Sequence, residues 1–353
     1  MAPSVGIIAD DLTSAADGGG PFVKKGFEVE VLRGVVLDEG ARAGKVLAVD
    51  CESRSQPPLA AAAAVERAVR TLAAAPILYK TIDSTLRGHI VEEVNAAYEA
   101  SGRDHIVIAP AFPDAGRTTV DGVQYIDGIP VSESVYAADP VHPTKTSQIA
   151  ELLPAGVKNA TILDAESQVD LNLQVASLKD HENILWVGSP GLAIALAEAS
   201  AGAGQPSKRR PSAEHSLIVM GSANPVSRQQ IECAEGAPFA TCVAAIKKRD
   251  SDPVAVLDSV VRQALVALEN PNIDALIATG GDTMQAMLDA LGITSFDLLG
   301  EFEPGFPIGQ TRLRDGRSLI LGMKAGGFGQ KDTLRSAAQS LFNNAIRVVH
   351  EKA

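Results

Sequence analysis

Short apolar runs, each closed by a small or charged residue and followed by a helical stretch, recur along this chain. Residues 5–9 run into Asp10-Asp11, and a helical stretch follows to about Lys25. Further strand-like runs fall at 46–49, 77–79, 106–109, 161–163 and 184–187. Most of them do not alternate with polar residues, as expected of strands covered on both faces. Strands alternating with helices predict an α/β fold built of mainly parallel sheets flanked by helices. In such sheets, ligands gather at the carboxyl ends of the strands.

The pattern breaks once. Residues 201–215 read AGAGQPSKRRPSAEH, where Gly, Pro, Ser and charge replace periodicity. A linker is expected there, between a domain at 1–200 and a second at 216–353. The second series opens with a strand at 217–220 followed by Gly221-Ser222. Val256, Leu257, Val260, Val261, Ala264, Leu265 and Leu268 share one helical face. A strand at 275–278 enters TGGDT (279–283), and one at 319–321 leads to KAGGFG (324–329). A last amphipathic helix carries Ala338, Leu341, Phe342, Ala345, Ile346 and Val349. A length of 353 residues also favours two domains, since one core stops growing at roughly 250–300.

Composition narrows the class. The chain is 46% hydrophobic and 21% charged, an ordinary globular balance. Its formal net charge is −12, and the one tight basic cluster, Lys208-Arg209-Arg210, sits inside the expected linker. No basic stripe is present to neutralise a nucleic-acid backbone. The three cysteines are scattered and lack zinc spacing, and no apolar run approaches the ~20 residues of a membrane helix. The first residues lack the features of a signal peptide, so the cytoplasm is the expected location.

The second domain holds three small-residue turns at strand ends: Gly221-Ser222, Gly280-Gly281-Asp282-Thr283 and Gly326-Gly327-Phe328-Gly329. Glycine lets main-chain amides approach a ligand, and a following helix adds its positive end. The three together predict a phosphate cradle, although any one of them could be a packing turn. The chain lacks the G-x-x-x-x-G-K-[ST] loop of one nucleotide-binding class and the G-x-G-x-x-G turn of dinucleotide enzymes. Lys324 could touch a phosphate or be a solvated lysine.

The first domain carries charge and hydroxyls at its strand ends: Asp10 and Asp11; Glu52, Ser53 and Arg54; and the run from Lys80 to Gly88, with Asp83, Ser84, Thr85 and Arg87. Arginine grips a carboxylate with two parallel bonds, while Asp and Ser meet hydroxyls. That set suits a polyol bearing an acid. Asp10 or Asp11 could instead cap the next helix, and the arginines could form surface ion pairs. Residues 109–130, rich in Gly and Pro, are expected to form a shaped loop. There Asp114 and Arg117 either touch substrate or pair with each other.

These segments resemble the four-carbon acid sugar kinase family. The resemblance rests on IIADDLTSAAD (7–17), ESR (52–54), KTIDSTLRG (80–88), APAFPDAGRTT (109–119), GSPGLA (188–193), MGSANPVSRQQ (220–230), TGGDT (279–283), EPGFPIG (303–309) and KAGGFG (324–329). They run in the family order along nearly the whole chain. The resemblance implies an N-terminal sugar-acid domain and a C-terminal ATP domain. It also implies phosphorylation of the C4 hydroxyl of D-threonate, D-erythronate or 3-oxo-tetronate. Substrate contacts would fall on Asp10 or Asp11, on Arg54 and on Asp83 to Arg87. ATP contacts would fall on Ser222, Gly280 to Thr283 and Gly326 to Gly329. The chain departs from the family at Ser14, where Gly is usual.

Phosphoryl transfer needs alignment, charge neutralisation and an acceptor for the hydroxyl proton. Mg²⁺ is expected with ATP, bridging phosphate oxygens, without a dedicated protein metal site. Asp282, Asp11 and Asp83 are the candidate bases, and domain closure about the linker is expected to exclude water. A homodimer is one possible assembly. Two other classes stay open: a nicotinamide-dependent sugar-acid oxidoreductase and a non-catalytic sugar-acid sensor.

Overall fold

In a computed structural model, residues 4–34, 44–200, 211–221, 224–245 and 252–352 are described. Ser222 and residues 201–210 of the expected linker lie outside them. The chain divides into two units, Met1–Pro206 and Ser207–Ala353. Among the described residues, no helix is long and apolar enough to cross a membrane.

The first unit runs β1 (Val5–Ala9), α1 (Leu12–Lys24), β2 (Val29–Arg33), β3 (Val46–Asp50), α2 (Pro58–Leu72), β4 (Ile77–Thr81), α3 (Ile90–Ser101) and β5 (His105–Ala109). It continues through β6 (Arg117–Val120), β7 (Val123–Ile126), β8 (Ile129–Pro130), β9 (Asn159–Ile162), α4 (Gln168–Ser177), β10 (Ile184–Gly188) and α5 (Pro190–Ala199). Seven of the strands pair in parallel, in the order β2-β3-β1-β4-β10-β5-β9.

The apolar runs have the predicted cause, since both faces of this sheet are covered. On β1, Ile8 joins the core under α2 and α3 with Val65, Val69 and Val94. Ile7 points the other way, against α1, where a Cβ on Gly18 would sit 3.1 Å from it. Helix α2 buries Ala61, Ala64, Val65, Ala68, Val69 and Leu72, a three-four spacing that marks one apolar stripe.

The stretch expected as a shaped loop is instead largely a small antiparallel sheet, β6-β7-β8. Its two hairpins turn at Asp121-Gly122 and Asp127-Gly128, where all four residues have positive φ. Asp-Gly pairs favour two-residue turns of this hand.

The second unit runs β11 (Ser216–Met220), α6 (Pro225–Ala234), β12 (Ala240–Ala244), α7 (Pro253–Leu268), β13 (Ala275–Thr279), α8 (Gly281–Leu291), β14 (Ser295–Glu301), β15 (Pro307–Arg312), β16 (Ser318–Lys324) and α9 (Thr333–Lys352). Strands β12, β11, β13 and β16 are parallel neighbours. Strands β15 and β14 add an antiparallel edge beyond β16. Ile218, Ile277, Phe306, Ile308, Leu334 and Leu341 build this unit's core. Residues 211–215, expected as linker, are tied to the same unit: Ala213 is buried and donates its N–H to Leu341 O.

Candidate functional site

In the first unit the strand order reverses around β1, with β3 on one side and β4 on the other. Such a switch point leaves a crevice outside the carboxyl ends of the strands. The segments after β1, β3 and β4 carry Asp10-Asp11, Glu52–Arg54 and Asp83–Arg87. The topology therefore brings together most of the residues singled out from the sequence.

Arg54 is the hub. Its Nε donates to Asp10 Oδ2 at 2.8 Å, its Nη1 lies 2.6 Å from Asp11 Oδ2, and its Nη2 donates to Ser14 Oγ at 3.2 Å. Main-chain N–H groups of Ser53 and Arg54 donate to Asp10 O, which locks the β3 turn onto the β1 turn. Asp11 also caps α1, accepting from Ser14 N at 2.7 Å. Its capping and ion-pairing roles thus coexist. The pairs are partly buried and shared, unlike simple surface ion pairs.

The two adjacent carboxyls are pushed apart. Burial pushes Asp10 up, but the charges of Arg54 and Lys80 outweigh it and hold the group below the usual range. At Asp11, burial and the neighbouring Asp10 charge together raise the carboxyl. Burial opposes the Arg54 charge, yet the two aspartates keep it firmly protonated.

Asp83 organises the β4 turn. Its Oδ1 accepts from Thr85 N at 2.8 Å and from Thr85 Oγ1 at 2.9 Å. Its Oδ2 holds Arg87 Nε at 2.8 Å and Nη2 at 2.7 Å. Arg87 also reaches Asp139 at 3.2 Å and stacks over Tyr136, 4.9 Å from the ring centre. Ser84 O accepts from Gln124, so the β6–β7 sheet supports the turn from outside. Arg117 donates to Ala115 O. His89 meets His142 edge-on at 5.2 Å.

The sequence marked Lys80 only as the start of the run 80–88, without a role, and did not single out Glu93 or Asp50. Lys80 is fully buried and pairs with Glu93 at 2.8 Å, while Glu93 also accepts from Ser53 Oγ at 2.6 Å. Burial opposes the Lys80 charge, but Glu93 and Asp10 outweigh it and keep the lysine charged. Asp50, buried at the end of β3, is pushed up to about 7, chiefly by burial. The sequence signal for both was a charged residue closing an otherwise apolar strand. Asp10 Oδ1 and Thr81 Oγ1 are buried beside this network without a hydrogen-bond partner among the described residues.

In the second unit, β11, β13 and β16 are adjacent and parallel, so their three glycine turns share one edge. A Cβ on Gly326 would lie 3.8 Å from Gly280 Cα. Gly280 caps α8 with φ 98° and no side-chain cap, a backbone that favours glycine. Gly281 borders open space. Thr283 is buried and its Oγ1 accepts from Gly221 N at 3.2 Å, so it braces the turn from within. Asp282 is exposed and makes no side-chain bond to a described residue; the cap position of α8 is held by Gly280. Phe328 is exposed at the tip of the last turn. Lys324, by contrast, is buried, which removes the solvated-lysine reading. The uncapped first turn of α8 and the clustered glycines fit a phosphate chain. Among the described residues, no three His, Cys, Asp or Glu gather into a metal cluster.

Residues 5–161 match a family described as a sugar-binding N-terminal domain, and residues 244–334 match a nucleotide-binding C-terminal domain. The D-threonate kinase of Bordetella bronchiseptica is 32% identical, over 96% of this chain and 98% of its own length. A 3-oxo-tetronate kinase of Methylobacterium radiotolerans is 26% identical, over 94% and 98%. The crystal structure of a Haemophilus influenzae protein of the DUF1537 family shares the fold, with a TM-score of 0.77 over 95% of this chain and 99% of that one, at 21% identity. Fold, site and matches together define an enzyme, a kinase with a sugar-binding and a nucleotide-binding domain. The chain belongs to the four-carbon acid sugar kinase family. The oxidoreductase and sensor readings are not favoured.

Proposed function

We propose that the protein transfers the γ-phosphoryl group of ATP to the C4 hydroxyl of a four-carbon sugar acid in the cytoplasm. D-Threonate is the first candidate, because a D-threonate kinase is the more similar of the two relatives above; D-erythronate and 3-oxo-tetronate follow. The observation that carries this reading is the pair of half-buried arginines, Arg54 and Arg87, set among Asp10, Asp11, Asp83, Ser84 and Thr85 at the switch point. Guanidinium groups recognise the carboxylate, and the aspartates and hydroxyls recognise the polyol.

The second unit would hold ATP. Amides of Gly281, Gly326, Gly327 and Gly329 meet phosphate oxygens, with the α8 amino end behind them, while the turn at Gly221 is held by Thr283 and that at Gly280 by Lys324 O. Mg²⁺ would arrive with the nucleotide and neutralise phosphate charge, held mainly by phosphate oxygens and water. The hydroxyl proton passes to an aspartate. Asp83 is committed to Thr85 and Arg87, and Asp11 to Ser14 and Arg54, whereas Asp282 has no such commitment. Asp282 is therefore our leading base, with Asp11 and Asp83 as competitors.

Product analysis tests the reaction. Incubation with ATP, Mg²⁺ and D-threonate should give a phosphate whose ³¹P signal couples to the C4 protons. Coupling to another position, or no phosphorylated acid from any four-carbon substrate, would contradict it.

A further inference from the structure

We propose that Lys324 is a positioning residue that shapes the turn after β16 into an anion-binding nest by holding main-chain carbonyls, without touching the phosphate itself. The inference deepens the nucleotide reading of the second unit and rests on it.

Lys324 closes β16 and is 2% exposed. Its Nζ donates to Ala325 O at 2.6 Å, Gly326 O at 3.2 Å and Phe328 O at 2.9 Å. Three donors are all an ammonium has, so none is left for a phosphate oxygen. Two buried side chains of α6 grip the same turn. Ser227 Oγ donates to Gly326 O at 2.6 Å, and Gln230 Nε2 donates to Phe328 O at 2.9 Å and Gln330 O at 2.8 Å.

In a planar trans peptide, the carbonyl of one residue points opposite to the N–H of the next. Drawing in the carbonyls of residues 325, 326 and 328 therefore turns out the amides of Gly326, Gly327 and Gly329. None of these three amides donates to a described residue. Convergent free amides form an anion-binding nest.

The charge of Lys324 points the same way. No carboxylate lies within ion-pair distance of it among the described residues, and a buried cation without a counter-charge is costly. Burial pushes the ammonium down to about 8, opposed by the nearby acid Glu303. Glu303 itself accepts from Thr333 of α9. The groups contributed to this cluster by α6 and β13, Ser227, Gln230 and Thr279, are neutral. An anion seated on the outer amides supplies the missing counter-charge through the peptide dipoles.

Lys324→Met tests the proposal by steady-state kinetics and calorimetry. Loss of the clamp should raise KM for ATP about tenfold or more, with KM for the sugar acid unchanged. In the unaltered enzyme, ATP binding at pH 8.5, measured in two buffers of different ionisation enthalpy, should take up a fraction of a proton, because bound phosphate raises the lysine. That second measurement stands even if the variant does not fold. Wild-type KM for ATP in the variant, or zero proton uptake by the unaltered enzyme, would overturn the lysine's role alone. Loss of kcat with an unchanged KM would reassign Lys324 to direct contact with the transferring group and overturn the positioning role. Absence of any ATP binding by the unaltered enzyme would overturn the nucleotide reading as well.

Discussion

Arg54 Nη1 lies 2.6 Å from Asp11 Oδ2, in a guanidinium that also holds Asp10 through Nε. This fork fixes the turns after β1 and β3 against each other and leaves Arg54 partly exposed for a substrate carboxylate. Lysine is a point charge and cannot span both aspartates. Arg54→Lys should raise KM for the sugar acid roughly 10- to 100-fold with little change in KM for ATP, as read from initial rates.

Asp282 is exposed and makes no side-chain bond to a described residue, so Asp282→Asn should leave the thermal midpoint nearly unchanged. If Asp282 takes the hydroxyl proton, kcat should fall about 10²- to 10⁴-fold. Near-normal turnover would shift the role to Asp11 or Asp83, whose Asn variants then become the next measurement.

Asp50 gives the fold a pH dependence. Its folded value of about 7 lies above the ordinary 3.8 of an aspartate, so the folded state holds the proton more tightly. Stability from this group is full below about pH 4 and is lost as pH rises to 7. Above that, a buried charge remains whose Oδ2 has no hydrogen-bond partner among the described residues. Asp50→Asn should flatten that slope and stabilise the protein at pH 8 by at most ~4 kcal/mol. Denaturant titrations of both proteins at pH 5 and pH 8 read the difference.

Gly221 has no room for a side chain. A Cβ there would sit 2.5 Å from Leu257 Cδ1 and 2.9 Å from Thr283 Oγ1. Gly221→Ala should therefore destabilise the protein by about 1–3 kcal/mol, visible in denaturation. It should also weaken ATP binding in calorimetry while leaving sugar-acid binding intact.

Apolar runs made the parallel strands legible, because burial on both faces removes alternation. The charged strand ends and glycine turns gave the site candidates for the same reason: both mark where the chain leaves a buried strand. The hairpins at Asp121-Gly122 and Asp127-Gly128 carried a sequence signal, but the surrounding Gly and Pro read as loop. The Lys80–Glu93–Ser53 network was hidden, since its members lie on β4, α3 and the β3 turn and meet only through the sheet. The burial of Lys324 was equally hidden, because its partners are carbonyls, which leave no residue-specific mark.

Kinase activity on a four-carbon acid is read most directly by ADP release, coupled to a spectrophotometric readout, across D- and L-threonate, D- and L-erythronate and the 3-oxo acids. ATP- and Mg²⁺-dependent turnover is expected with at least one of these acids, D-threonate first, and a large loss of kcat/KM for it in Arg54→Lys. No acid-stimulated ADP release from any of them would contradict that activity.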